Sequence, residues 1–149
     1  MNSSFVFSIF LGVIFGMVIG LVFMNLNNMN QLIFVEGSSL SVVTEKTNFT
    51  IGENITINLV NSGTIRLKLD DILLKITSLD GRVLYSLPMR SDQIIFLEPQ
   101  ETKTLTWNQI RNDGSPITTG SYKIISSATD DLNYKITKSI IINVNKTKY

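Results

Sequence analysis

The chain has 149 residues, with 13 Lys and Arg against 12 Asp and Glu, and neither His nor Cys. Disulfides, thiol chemistry and Cys- or His-ligated zinc or haem are therefore excluded, and the near-balanced charge offers no electrostatic footprint for nucleic acid. The length fits one domain plus an appendage.

The charges are unevenly placed. Residues 1–35 contain no Lys, Arg, Asp or Glu, and the first charge is Glu36. After a short tail, residues 1–4, the run Phe5–Met24 reads FVFSIFLGVIFGMVIGLVFM. At about 1.5 Å per residue such a helix spans a hydrocarbon core of about 30 Å, so one transmembrane helix is predicted over 5–24. The start MNSS lacks the basic residues of a secretory signal, and no A-x-A-like site follows the run. The segment is expected to remain as an anchor in the cell membrane.

Gly12, Gly16 and Gly20 recur every four residues inside that run. Lipid supplies no hydrophobic drive between helices, so small residues on one face allow close backbone packing. The expected partner of this face is a second copy or another membrane protein. The simpler source of the pattern is the general frequency of Gly in membrane helices.

Residues 25–39 are expected to form a membrane-proximal linker. The patch L32-I-F-V35 reads as an interfacial spacer or a first strand, and Gly37-Ser-Ser39 as a break before the folded domain. The first basic residue is Lys46, too far from the span for the positive-inside rule to orient it. Asn48-Phe-Thr50, Asn54-Ile-Thr56 and Asn145-Lys-Thr147 are N-glycosylation sequons, as formally is Asn2-Ser-Ser4. An Asn- and Thr-rich chain produces such triplets by chance, but where used they lie outside the cytoplasm. The domain after the anchor is therefore expected to be extracytoplasmic.

From Leu40 to Tyr149 the hydropathy alternates with period two. Ile55, Ile57 and Leu59 are followed by Ile65, Leu67 and Leu69, then by Ile72, Leu74 and Ile76, then by Val83, Tyr85 and Leu87. Leu105 and Trp107, Tyr122 and Ile124, and Ile140, Ile142 and Val144 continue the pattern. Half-buried strands are predicted at each. The apolar phase changes at Asp70-Asp71, where a bulge or tight corner is expected. Asn61-Ser-Gly63, Asp80-Gly81, Glu98-Pro-Gln100, Asp113-Gly114 and Thr119-Gly120 mark turns, with a primed-type hairpin turn expected at Asp80-Gly81. About seven to nine short strands at this spacing point to an all-β sandwich.

The stretch Ile51 to Ala128 carries Trp107, then Asp113-Gly114-Ser115-Pro116-Ile117, then Gly120-Ser121-Tyr122-Lys123-Ile124. This layout resembles the immunoglobulin-like domains of the BsuPI-type (intracellular proteinase inhibitor) family and is similar to the Ig-like domain of flagellar hook-capping proteins. The resemblance implies an Ig-like sandwich with Trp107 and Tyr122 in its core, Asp113-Gly114 and Pro116 at a turn, and Gly120 opening a strand. It covers about half the chain and implies function only weakly, because sandwiches of this type host many roles. Protease inhibition does not carry over, since a membrane anchor departs from an intracellular inhibitor.

Catalytic triads and the usual metal-hydrolase sites need residues this chain lacks. Asp70-Asp71 and Asp130-Asp131 could offer oxygen ligands to calcium. The simpler expectation is a pair of solvated turns, and neither matches the spacing of an EF-hand loop. Trp107 alternates with Leu105 and is expected to pack in the core. The lysines Lys135, Lys138, Lys146 and Lys148 read as a solvated face or as edge protection.

Together these readings predict a single-pass membrane protein. Its Ig-like domain, residues 40–149, would act as a non-catalytic structural or accessory subunit of a membrane or cell-envelope complex. No cofactor, metal or nucleic acid is expected; the partners are the bilayer and other envelope proteins. The alternatives are an inhibitor or regulator of an extracellular hydrolase, and a calcium- or glycan-binding surface module.

Overall fold

The structure, a computed structural model, describes residues 32–146. The expected membrane helix and the Gly12, Gly16 and Gly20 face lie outside the described residues. Among the described residues no helix is long and apolar enough to cross a membrane.

Ten strands follow in order: β1 (Leu40–Thr44), β2 (Asn48–Thr50), β3 (Ile55–Asn61), β4 (Leu67–Leu69) and β5 (Ile72–Ser78). Then come β6 (Val83–Pro88), β7 (Phe96–Leu97), β8 (Thr102–Trp107), β9 (Gly120–Asp130) and β10 (Lys135–Asn145). The count exceeds the expected one because β2 and β7 have only three and two residues, too few for period-two hydropathy to register.

The strands form two sheets. One is three-stranded and antiparallel, in the order β1-β3-β8. The other has seven strands. Here β10 pairs β9 antiparallel and β2 in parallel, while β4 and β5 share the other edge of β9, with β7 beyond β4 and β6 beyond β5. Alternation places one face of each sheet against a common core. Leu40, Ile57, Leu59, Leu105 and Trp107 come from the smaller sheet, and Leu67, Leu74, Ile76, Ile124 and Ile142 from the larger.

β4 and β5 are one strand interrupted. Leu69 faces Ala128 and Lys75 faces Ile125, so six steps along one side meet three along β9. The three surplus residues leave the ladder around Asp70–Ile72, where the change of apolar phase predicted a bulge or corner. The correction lies in which side chains turn inward. Ile72 is 41% exposed, while the adjacent Leu73 and Leu74 are both buried, because the pairing with β6 also shifts between Ile72 and Leu74. A second shift between Ile76 and Thr77 inverts β6: Leu84 is buried and Val83 exposed, opposite to the expected phase.

Three connections share one build. In Ser78–Arg82, Arg111–Ser115 and Asp130–Tyr134, the first residue's N–H bonds the fifth residue's carbonyl (3.0, 2.8 and 3.1 Å), and the fourth residue's N–H bonds the first residue's carbonyl at 3.0 Å in each case. The fourth residues are Gly81, Gly114 and Asn133, with φ of 90°, 82° and 64°. This is a type I turn closed by a left-handed residue, a position open to Gly and tolerated by Asn. The primed turn expected at Asp80-Gly81 is absent, since that type needs positive φ at both central residues and neither Leu79 nor Asp80 has it.

The expected break at Gly37-Ser-Ser39 is instead a strap fastened to the domain. The Val35 N–H bonds the Ser62 carbonyl at 2.8 Å, and the Thr64 N–H bonds the Gly37 carbonyl at 2.9 Å. The Gly37 N–H reaches the Thr64 hydroxyl at 2.9 Å, and the Ser39 and Ser62 hydroxyls lie 2.9 Å apart.

Candidate functional site

The interruption between β4 and β5 opens a cleft of about 700 Å³ on the outer side of the larger sheet. Its walls bring together both aspartate pairs of the sequence, Asp70-Asp71 and Asp130-Asp131, with Lys68, Lys75 and Lys135. Sequence separation hid this meeting, which follows from β4 and β10 flanking the end of β9.

The carboxylates are held apart by different partners. Asp70 pairs with Lys135 at 2.7 Å and accepts from the Thr129 hydroxyl at 3.4 Å. Asp131 meets Arg66 at 3.4 Å, and that guanidinium lies 4.7 Å from the Phe96 ring centroid. Asp130 is 7% exposed and turns inward. One of its oxygens accepts from the Leu132 and Tyr134 N–H groups, each at 2.9 Å, and the other from the Ser38 hydroxyl at 2.6 Å. The Ser38 hydroxyl first, then the Tyr134 and Leu132 amides, hold its pKa below the ordinary aspartate value. Among the described residues no three acidic groups converge as a metal cage would require. Asp130 is the knot that ties the N-terminal strap to the β9–β10 turn.

The residues of the Trp-to-Tyr motif meet at one corner between β8 and β9. Trp107 is 1% exposed, and its indole N–H donates to the Ile110 carbonyl at 2.9 Å. Tyr122 packs edge-on to it with centroids 6.4 Å apart, and the Tyr85 ring lies tilted against it at 6.0 Å. Pro116 bridges to Ile110. Asp113 accepts from the Ser115 N–H at 2.9 Å and hydroxyl at 2.5 Å, an arrangement that lowers its pKa, the hydroxyl contributing most. The Tyr122 hydroxyl donates to the Thr118 carbonyl at 2.5 Å, four residues back and just before Gly120, which opens β9. That bond has the form of a tyrosine corner.

The sequon asparagines Asn48, Asn54 and Asn145 are all exposed. Asn48 lies in β2, where its side-chain carbonyl accepts from Asn143 at 3.1 Å. Asn54 precedes β3, and Asn145 ends β10, with Thr147 outside the described residues.

Two buried polar residues escaped sequence reasoning. Asn61, in the expected turn Asn61-Ser-Gly63, is fully buried. Its amide donates to the Ile65 and Leu97 carbonyls, each at 2.8 Å, and accepts from the Gly63 N–H at 3.0 Å. Gln109 is 2% exposed with φ of 62°; its amide donates to the Thr50 carbonyl at 2.8 Å and accepts from the Gly52 N–H at 2.9 Å. Nothing in local periodicity signals either role, because both join segments distant in sequence.

No protein-family model matches the chain. No curated protein matches it either. Among solved structures it is similar to the ApaA protein of Bordetella pertussis, at 16% identity over 76% of this chain and 99% of that one, with a TM-score of 0.47. It is also similar to the sporulation control protein Spo0M of Bacillus subtilis (16% identity over 74% of this chain, TM-score 0.42) and to the E. coli chaperone DraB (11% over 75%, TM-score 0.45). The chain spans 51% of the Spo0M chain and 58% of the DraB chain.

Proposed function

We propose that the chain is a single-pass membrane protein whose extracytoplasmic Ig-like sandwich serves as a non-catalytic structural or accessory subunit of an envelope complex. The Ig-like reading rests on strand order. β1, β3 and β8 pair as A, B and E do in that fold, while β5, β9 and β10 pair as C, F and G, with β2 parallel to β10. The Trp107 and Tyr122 corner accords with the resemblance to BsuPI-type domains.

The observation that carries the functional reading is the tether. The charge-free apolar run 5–24 is followed, after residues 25–34, by Val35, whose N–H is already bonded to Ser62. Only ten residues of sequence, 25–34, separate the run from the first residue bonded to the domain, which suits a subunit that works beside other membrane proteins. The polar groups of the cleft and of the β8–β9 corner hold turns and strap together, which favours a scaffold over a reaction centre.

The test is fractionation of the tagged full chain, followed by gentle solubilisation and mass spectrometry of what travels with it. The reading expects resistance to alkaline extraction, digestion of the domain by external protease, and a stoichiometric set of membrane partners that Gly16→Leu releases. Extraction as a peripheral protein would overturn the anchor. An integral chain that purifies alone would overturn the accessory role.

A further inference from the structure

β8 is an edge strand, and hydrogen-bond parity shows which of its groups are open. The Asn61 N–H bonds the Glu101 carbonyl at 3.0 Å on the β8 side, and the Ser62 N–H bonds the Ser39 carbonyl at 2.9 Å on the β1 side. Antiparallel ladders alternate between neighbours. Lys103, Leu105 and Trp107 therefore bond to β3, and the main-chain N–H and C=O of Thr102, Thr104 and Thr106 point away from the sheet. β8 has no second partner among the described strands.

The side chains of the same three residues are exposed on the sheet's outer face. The adjoining residues of that face on β3, Thr56 and Asn58, are uncharged, and Thr104 donates its hydroxyl to Asn58 at 2.9 Å. Edge strands are normally blunted by proline, bulges or charge. Between Thr102 and Trp107 there is no proline, the register with β3 is unbroken, and the one charge, Lys103, points to the opposite face.

The sequence Thr102-Lys-Thr-Leu-Thr106 is also self-complementary. We propose that β8 pairs antiparallel with β8 of a second copy about a two-fold axis at Thr104, joining the two three-stranded sheets into one of six strands. Thr104 then faces its own mate, and Thr102 faces the partner's Thr106, giving Thr–Thr cross-strand pairs on one face. On the other face Lys103 lies opposite the partner's Leu105, so the two lysines do not meet head-on. About six main-chain hydrogen bonds join the copies. An isologous contact of this kind closes after two subunits, because it uses the β8 edge of both copies. The inference goes beyond the membrane-subunit reading and does not depend on it.

The test uses the full chain in mild detergent. The protein has no native Cys, so single cysteines report position without background. A short bis-maleimide is expected to join Thr104→Cys into a covalent dimer and to leave Thr56→Cys monomeric. Thr56 lies on the same face one strand inward, beside Thr106, so it and its mate stand about three strand spacings apart across the sheet and about four residues apart along it, ~20 Å in all. Thr104→Pro removes an N–H that the monomer does not use but the dimer does, so the dimer dissociation constant should rise at least about ten-fold with the monomer's circular dichroism unchanged. If Thr104→Pro misfolds, the two cysteine variants alone decide. The proposal is overturned if Thr104→Cys is not cross-linked, if both cysteines cross-link equally, or if a folded Thr104→Pro protein associates as tightly as the native chain.

Discussion

Gly63 decides whether the N-terminal strap can lie on the domain. A Cβ built there would stand 2.1 Å from the Gly37 carbonyl oxygen and 2.7 Å from the Ser39 nitrogen. Both are backbone atoms, so no rotamer change relieves the clash. Gly63→Ala must push the strap away or drag Ser62 and Gly63 off β1. Moving the strap is the cheaper response, because residues 33–36 are exposed, whereas Asn61 and Ser62 are fully buried.

Displacing the strap breaks Val35 to Ser62, both Gly37–Thr64 bonds and Ser38 to Asp130. At about 1 kcal/mol net for each bond, the docked strap loses about 3–4 kcal/mol. Local opening should then become at least about a hundred-fold more frequent. Hydrogen exchange reads this residue by residue. The Val35, Gly37 and Thr64 amides should exchange at least about a hundred-fold faster in Gly63→Ala, while the Ile57 and Leu59 amides in the β3–β8 ladder keep their protection. Unchanged exchange at Val35 and Gly37 would refute the argument, and so would loss of protection across the whole domain.

Three further outcomes follow from the same geometry. Asn61→Leu should lower the unfolding free energy by about 3 kcal/mol in a urea titration, since it strands the Ile65 and Leu97 carbonyls and the Gly63 N–H in the interior; a loss below about 1 kcal/mol would mean the pocket admits water. Tyr122→Phe should cost about 1 kcal/mol by thermal unfolding, the corner bond to Thr118 being the only contact removed apart from a longer one to the Thr118 hydroxyl. Asp130, Asp113 and Asp80 all titrate below the ordinary aspartate value. Their stabilisation is complete above the unfolded pKa near ~3.9 and is lost as pH falls through the lower folded values. The urea midpoint should therefore drop between pH 5 and pH 2, and Asp130→Asn should flatten part of that drop. An equally steep acid limb in Asp130→Asn would assign it to other groups.

The elements legible in sequence are those whose signal is local. Ile55, Ile57 and Leu59 alternate cleanly because β3 is straight and flanked by regular neighbours. The phase change at Asp70-Asp71 was legible as well, since a one-residue slip reverses every later side chain. β6 departs from its alternation for the same reason: Ile76 faces Tyr85 and Thr77 faces Val83, so Leu84 is an extra residue in the ladder, and the hydropathy of Val83–Leu87 does not record it. Asp80-Gly81 announced a hairpin but not its turn type, because Asp-Gly serves both a primed turn and a type I turn closed by glycine. The cleft joins residues about sixty positions apart, and the strap is held by Ser62 and Asp130, so neither could be read before the topology was known.

Charge also separates the two outer faces, and this bears on which surface can meet a second copy. Pairing places Lys75 opposite Ile125, Thr77 opposite Lys123 and Lys68 opposite Thr129. Lys68, Lys75 and Lys123 thus share the outer face of the larger sheet. Two such faces brought together would set lysines against lysines at a spacing where like charges repel. The threonine face of the smaller sheet has no such barrier, and its β8 edge extends it without stacking one face on another. In a symmetric dimer built on that edge, the lysine faces both remain outside, along with the clefts between β4 and β5. Self-association would then leave the charged face free for a different partner.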